Sequence, residues 1–389
     1  MAEYKNIFAE DVEVPDAVMQ KVNAAFAAVK TEDVKHMEEK NKVETMKKRK
    51  GRFFRNRAAA AACVCLFAAA GITVVAAAHH VWSRGMQGTL QATDKQQQAL
   101  TEKEVAVVLS ESENQADLAV SSGNVTVTPE TVIADERFAY LSFSVKGFAL
   151  EVGEEPSFES TQVYLGEDPA AQEGWVNMNA SFYNGIVPDE NGQPVYEDKT
   201  APEFLADGSL VFHYADAEGT LEYVIQVSVP DQQESLLGKT LHVNLENLGI
   251  AHDAEYAGRV EGNWDFSIEL PAVSAAAEVA VEKQVEGTAF VMDSAEISPV
   301  SIRINYSVNG DVEVTNDDNG IPEFGGVVLA DGTRLPFLKN GGSSGYTDEN
   351  RNSAYELSAF DRVIDPKQVT AILVRTELGA DLVEVPVGG

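Results

Sequence analysis

Cysteine, histidine, tryptophan and positive charge are all scarce in this chain of 389 residues. The two cysteines, Cys63 and Cys65, lie too close together to staple a fold, which excludes a disulfide-built secreted scaffold. The six histidines are scattered: His36, His79, His80, His213, His242 and His252. No HExxH, GxSxG or phosphate-cradling glycine loop occurs, so no metal, cofactor or catalytic site is legible and the chain reads as a non-enzyme. Zinc in the N-terminal region is unsupported, because His36 stands there without cysteine. With 29 Lys and Arg against 62 Asp and Glu, the net charge is −33, which argues against direct nucleic-acid binding.

What is present is unevenly distributed. Ala58 to Ala78 carries no charge, and its 21 residues would span about 31 Å as a helix, close to the thickness of a bilayer core. A buried core helix is the alternative. A cleaved signal peptide would have to begin far closer to the N-terminus. The flanks favour a membrane span. Lys47, Lys48, Arg49, Lys50, Arg52, Arg55 and Arg57 precede it, Phe53 and Phe54 beside them, and Trp82 and one Arg follow. The positive-inside rule puts the N-terminus in the cytoplasm and the C-terminal body outside, with Trp82 at the outer interface. Residues 1–57 hold 13 basic and 10 acidic residues, a net of +3. Residues 79–389 hold 16 and 52, a net of −36.

In the tail, Val14-Pro15-Asp16 reads as a helix start. Val18, Val22, Phe26 and Val29 then form one narrow apolar stripe. So thin a stripe cannot build a core alone. Either the tail is loosely ordered or the stripe docks on a partner protein.

Residues 79–115 read as a stalk, with Thr93-Asp94-Lys95-Gln96 a capping box opening a short helix. Beyond it the hydrophobic period becomes two: Leu141/Phe143/Val145, Leu210/Phe212/Tyr214, Leu221 to Val229, Leu241/Val243/Leu245 and Trp264 to Leu270. Pro271 to Ala280 is the candidate linker, after which alternation resumes at Ile302/Ile304/Tyr306, Val327/Leu329, Ile372/Val374 and Val383/Val385/Val387. Residues 132–147 and 295–310 share a local order, a short strand, a polar turn and an alternating strand. The expected fold is mainly β, with two immunoglobulin-like antiparallel β-sandwich domains at 116–272 and 279–389. Acid-rich stretches at Asp189–Gly192, Asn316–Gly320 and Asp348–Asn350 read as turns, with calcium loops the alternative.

The layout resembles a family of single-pass membrane proteins of Gram-positive bacteria that carry a domain of unknown function and are often encoded beside extracytoplasmic-function sigma factors. The resemblance rests on Val14-Pro15 and its helix, the basic run before an Ala-rich span, residues 79–103 (HHVWSRGMQGTLQATDKQQQALTEK) and residues 121–147 (SSGNVTVTPETVIADERFAYLSFSVKG). Residues 358–378 resemble the immunoglobulin-like domain that often closes such chains. The resemblance implies an anti-sigma-like regulator whose tail holds a cytoplasmic sigma factor until an envelope ligand or condition is sensed outside. The alternative is a surface-anchored binding or structural module without signalling, and a surface hydrolase is the least favoured reading. Protease added to intact cells should digest the body and spare residues 1–57; digestion of the tail would overturn the orientation.

Overall fold

The computed structural model describes Cys63–Cys65 and residues 82–389, the latter apart from 110–117, 167–175, 190, 206–207, 230–234, 253–254, 311, 313–318, 378–380 and 389. The tail residues Val18, Val22, Phe26 and Val29, and the basic flank from Lys47 to Arg57, lie outside the described residues.

In chain order, strand β1 (Cys63–Cys65) is followed by helices α1 (Arg84–Thr89) and α2 (Asp94–Glu102). Strands β2 (Ala106–Val108), β3 (Val120–Ser122), β4 (Val125–Ala134), β5 (Phe138–Lys146), β6 (Glu155–Leu165) and β7 (Asn177–Phe182) come next. The hairpin β8 (Ile186–Pro188) and β9 (Pro194–Tyr196) precedes β10 (Leu221–Ser228), β11 (Thr240–His252) and β12 (Glu255–Glu269). A second set follows: β13 (Ala277–Gln284), β14 (Phe290–Ile297), β15 (Ser301–Val308), β16 (Glu323–Leu329), β17 (Arg334–Leu335), β18 (Lys339–Tyr346), β19 (Ser353–Phe360), β20 (Val369–Arg375) and β21 (Val383–Pro386).

The first set makes two layers, β1-β12-β11-β6 and β2-β4-β5-β10-β7 with β3 beside β4. Between them lie the inward residues of the alternating strands, among them Leu141, Phe143, Ile225, Val243 and Trp264. Phe158 sits at the centre, 5.6 Å from the Trp264 ring and 4.9 Å from Tyr223. The second set also makes two layers, β13-β14-β15-β19-β18 and β17-β16-β20-β21, around Phe290, Ile304, Tyr306, Phe324 and Ile372. Apart from β1 against β12, the pairings are antiparallel.

The stretch Leu210/Phe212/Tyr214, expected as a strand, is irregular and carries only an isolated bridge at Leu210. β10 holds β5 along one edge and β7 along the other from Tyr223 to Ser228, and the stretch meets β10 only at its start, where Ala215 bridges Leu221. Tyr214 still enters the first core, while Phe212 stays exposed.

Residues 82–109, the described part of the segment expected as a stalk, are packed into the body. Trp82, Met86, Leu90 and Leu100 form a third core with Phe138 and Tyr140 of β5 and with Val300, Leu357 and Ala359 of the second sandwich. The helices are a wedge between the sandwiches. Trp82, expected at a membrane interface, is 2% exposed within this core, and a ring sealed between two sheets cannot reach a headgroup layer. The expected capping box is present: the Thr93 side chain accepts from Gln96 N–H and Gln96 Oε1 accepts from Thr93 N–H at 2.9 Å.

The wedge covers the outer faces of β5, β10 and β19, so these strands are buried on both sides. Ser142 and Ser144, which alternate like solvent-facing residues, are therefore buried and paired, Ser142 with Ser83 at 2.8 Å and Ser144 with Glu130 at 2.5 Å. Residues 132–147 and 295–310, alike in sequence order, place equivalent turns against each other. Asp135 in the first turn accepts hydrogen bonds from the Ser298 and Ser301 hydroxyls of the second, and from its own Arg137 and Phe138 N–H groups at 2.8 Å.

The run 58–78 lies outside the described residues except for Cys63–Cys65, which are extended rather than helical. They run parallel to β12, with Cys63 opposite Phe266 and Cys65 opposite Ile268. An open sheet edge presents unpaired N–H and C=O groups that an uncharged segment can satisfy. Among the described residues, no helix is long and apolar enough to cross a membrane.

Met86→Ala, at a position with no exposure, should cost about 2–5 kcal/mol and lower the melting temperature of both sandwiches together, since the core is shared. Val152→Ala, at a position 93% exposed, should stay within about 0.5 kcal/mol. Thermal melts followed by circular dichroism compare the two; separate melting of the sandwiches in the first variant would contradict the shared core.

Candidate functional site

Where the wedge and the second sandwich cover the β7–β10 face incompletely, a cleft of about 440 Å³ remains. Its floor is set by register. Asn179 of β7 lies opposite Gln226 of β10, and Ser181 lies opposite Val224. One wall is the end of α1, Gly88 and Thr89, and another is the β8–β9 hairpin with Ile186, Pro188 and Gly192. The second sandwich supplies the roof through Phe337, Lys339, Asn340 and Asp361. Two of these parts touch across the cleft: Gln226 Nε2 donates to the Asn340 carbonyl at 3.1 Å, and Gly192 packs against the Phe337 ring.

Helix α1 can lie this close only because of its glycines. A Cβ on Gly88 would fall 2.1 Å from the Tyr183 ring, and one on Gly85 would fall 2.9 Å from Glu222 Oε2. Arg84 fastens the other side. It reaches the carbonyls of His213 at 2.5 Å and Tyr214 at 3.0 Å, pairs with Glu197 at 2.6 Å, and lies 4.9 Å over the Tyr183 ring. The Tyr183 hydroxyl is sealed from solvent without a hydrogen-bond partner among the described residues. Burial, and then the Glu197 carboxylate, push its pKa up.

The charged groups around the cleft are matched. Lys339 binds Glu323 at 2.8 Å and the buried Glu356 at 3.0 Å. Burial alone would lower the Lys339 pKa, but Glu356 and Glu323 outweigh it and hold the ammonium charged. Asp361 is gripped by Arg362 through Nε at 2.7 Å and a terminal nitrogen at 2.9 Å. Glu222, on the same face of β10 as Val224 and Gln226 but covered by α1, accepts the Gly85 N–H at 2.6 Å. Burial raises its pKa against the opposing pull of Ser83 and Gly85.

Of the histidines and acidic loops singled out in the sequence, only the Asp189–Gly192 loop reaches the cleft, through Gly192. His213 stacks on Tyr196 at 4.4 Å, and His242 stacks on Tyr164 at 5.0 Å and bonds Ser267 at 2.9 Å. Asp189 accepts from the N–H groups of Asn191 and Gln193, and Asp348 from those of Asn350, Asn352 and Ser353, so both carboxylates serve their own turns. The Gln193 and Asn191 N–H bonds lower the Asp189 pKa, and the Ser353 hydroxyl, then the backbone N–H groups, lower that of Asp348. Among the described residues, no cluster of three His, Cys, Asp or Glu is placed to hold a metal. Asn316, Asp317 and Asp318 lie outside the described residues.

Of the cleft residues, sequence reasoning points only to Gly192, as the end of the acid-rich turn Asp189–Gly192. For the rest, the one local signal was Gly85 and Gly88, spaced to let a helix approach a sheet.

No protein-family model matches the chain, and no curated protein matches it. One solved structure, the conserved domain protein from Bacillus anthracis, aligns with it at 14% identity and a TM-score of 0.38, covering 71% of this chain and 80% of that one. A likeness at that score carries no argument.

The raised Glu222 and Glu356 carboxyls give stability a defined pH dependence. A carboxyl whose folded pKa lies above its unfolded value contributes most below that unfolded value, 4.5, and loses the contribution as pH rises through the folded pKa. The depressed Asp189 and Asp348 act oppositely, their contribution fading as pH falls below 3.8. The melting temperature should rise from pH 7.5 toward about 4.5 and fall again in stronger acid. Glu222→Gln should shrink the rise; melts across that range that leave it unchanged would show that Glu222 is not its source.

Proposed function

We propose that this chain is a membrane-anchored extracytoplasmic sensor, anti-sigma-like, whose cleft binds an envelope ligand and whose tail binds a cytoplasmic sigma factor. The observation that carries the reading is the position of α1. It starts at Arg84, shortly after the uncharged run that ends at Ala78, and it forms a wall of the cleft. A ligand seated there contacts the segment that leads to the membrane. An anchored adhesion module would need no such junction.

In this reading residues 58–78 cross the bilayer as a helix, the second sandwich is immunoglobulin-like, and the basic flank from Lys47 to Arg57 faces the cytoplasm. Pairing of Cys63–Cys65 with β12 and insertion into lipid are then exclusive states of one segment, because a bilayer admits a single span only as a helix. The stripe Val18, Val22, Phe26 and Val29 supplies the partner face. In this reading the chain binds rather than catalyses; the ion pairs of Lys339 and Asp361, which leave amides and hydroxyls facing the cleft, support it.

The test measures how much sigma factor co-purifies with the full-length chain from membranes. Phe26→Asp should abolish capture. Ser181→Trp, which fills the cleft from its floor, should change capture at least threefold, and Val152→Trp on the open surface should not. Absence of a captured sigma factor, or capture indifferent to Phe26→Asp, would overturn the regulator and leave the anchored binding module.

A further inference from the structure

The cleft combines three properties that together select a ligand class. Its groups available for recognition are uncharged hydrogen-bonding side chains: Asn179, Ser181 and the Oε1 of Gln226 on the floor, whose Nε2 is already spent on the Asn340 carbonyl, with Thr89 at the side and Asn340 in the roof. Its charges are already matched within the protein, since Glu323 and Glu356 neutralise Lys339, and Arg362 holds both oxygens of Asp361. A charged ligand would lose its hydration there without gaining a free counter-charge. Third, Phe337 stands 51% exposed at the mouth, beside Gly192, with no side chain at that glycine to cover it. An aromatic face beside amides and hydroxyls suits a ring that is polar at its rim and presents C–H groups on its faces.

We infer that the cleft binds a neutral saccharide, its hydroxyl or N-acetyl groups bonded to Asn179, Ser181 and Gln226 and one ring face laid against Phe337. The volume of about 440 Å³ lies within the range of small-ligand sites and has room for about two pyranose rings. An extended peptide fits less well. Strand-like peptide capture uses an unpaired sheet edge, whereas this cleft opens over the face of β7 and β10. The inference rests on reading the cleft as the sensor's ligand site, and it names what is sensed.

Calorimetric titration of the full chain in lipid nanodiscs tests it, with N,N′-diacetylchitobiose as the neutral saccharide and end-capped tetra-alanine as the neutral peptide. The saccharide should bind. Asn179→Ala and Phe337→Ala should each weaken binding at least fivefold, with melting temperatures unchanged, and Val152→Ala should leave it within twofold. Saccharide binding indifferent to Asn179→Ala and Phe337→Ala would overturn the assignment to this cleft. Binding of the peptide alone, lost in those variants, would overturn the saccharide class but leave the sensor reading standing. Binding of neither probe would also overturn the inference. The sensor reading fails separately, through sigma-factor capture that ignores the cleft and the tail.

Discussion

The packing of Trp82, Met86, Leu90 and Leu100 between two β-sandwiches is the contact from which the rest of the architecture follows. Each such side chain, fully buried, contributes about 1.5–3 kcal/mol, and a folded domain is stable by only about 5–15 kcal/mol. Without the wedge, the outer faces of β5 and β19 would expose Phe138, Tyr140, Leu357 and Ala359 to water. With it, the sandwiches are held in one relative orientation, and hydrogen bonds sharpen that orientation. Gln91 N–H donates to Asp361 and Val363 N–H donates back to Gln91, so the turn between the helices joins the second sandwich at its backbone. The cleft is the part of the β7–β10 face that this arrangement leaves open.

The buried acids belong to the same junction. Asp135 is satisfied by serine hydroxyls from the other sandwich, Glu222 by the backbone of α1, and Glu356 by Lys339 beside the cleft. A buried charge costs several kcal/mol unless its partners are placed well, so Asp135 and Glu222 penalise any other docking of the three parts, whereas Glu356 finds Lys339 within its own sandwich. The net of −36 carried by residues 79–389 therefore has two roles. Among the described residues most of the acids face water, where they favour solubility and repel other anionic polymers. A small share is buried and orients the domains.

Much of the β architecture was legible in the residues. Alternation at Leu141/Phe143/Val145 and at Ile302/Ile304/Tyr306 marks strands because side chains on a pleated backbone point to opposite faces with period two. Ala330-Asp331-Gly332 marks the β16–β17 turn, where Leu329 and Thr333 pair and Gly332 adopts φ +86°. Thr93 and Gln96 mark the start of α2 because a cap is a contact between residues three apart. These are short-range facts of backbone geometry.

The same alternation misleads where burial is decided from afar. Ser142, Ser144 and Glu222 read as solvent-facing, yet the wedge or the second sandwich covers them. Leu210, Phe212 and Tyr214 alternate like a strand, but β7 takes the edge of β10 from Tyr223 to Ser228 and leaves the stretch only the bridge from Ala215 to Leu221. The sequence by itself determined the strands, the helix cap, the turns and the division of charge along the chain, since each depends on residues close in the chain. Only the tertiary structure decided that Trp82 is a core residue, that the presumed stalk is a wedge, and that a neutral cleft opens beside α1. Those outcomes depend on contacts between residues far apart in the chain, such as Tyr140 with Phe360 and Gln226 with Asn340, which no local pattern records.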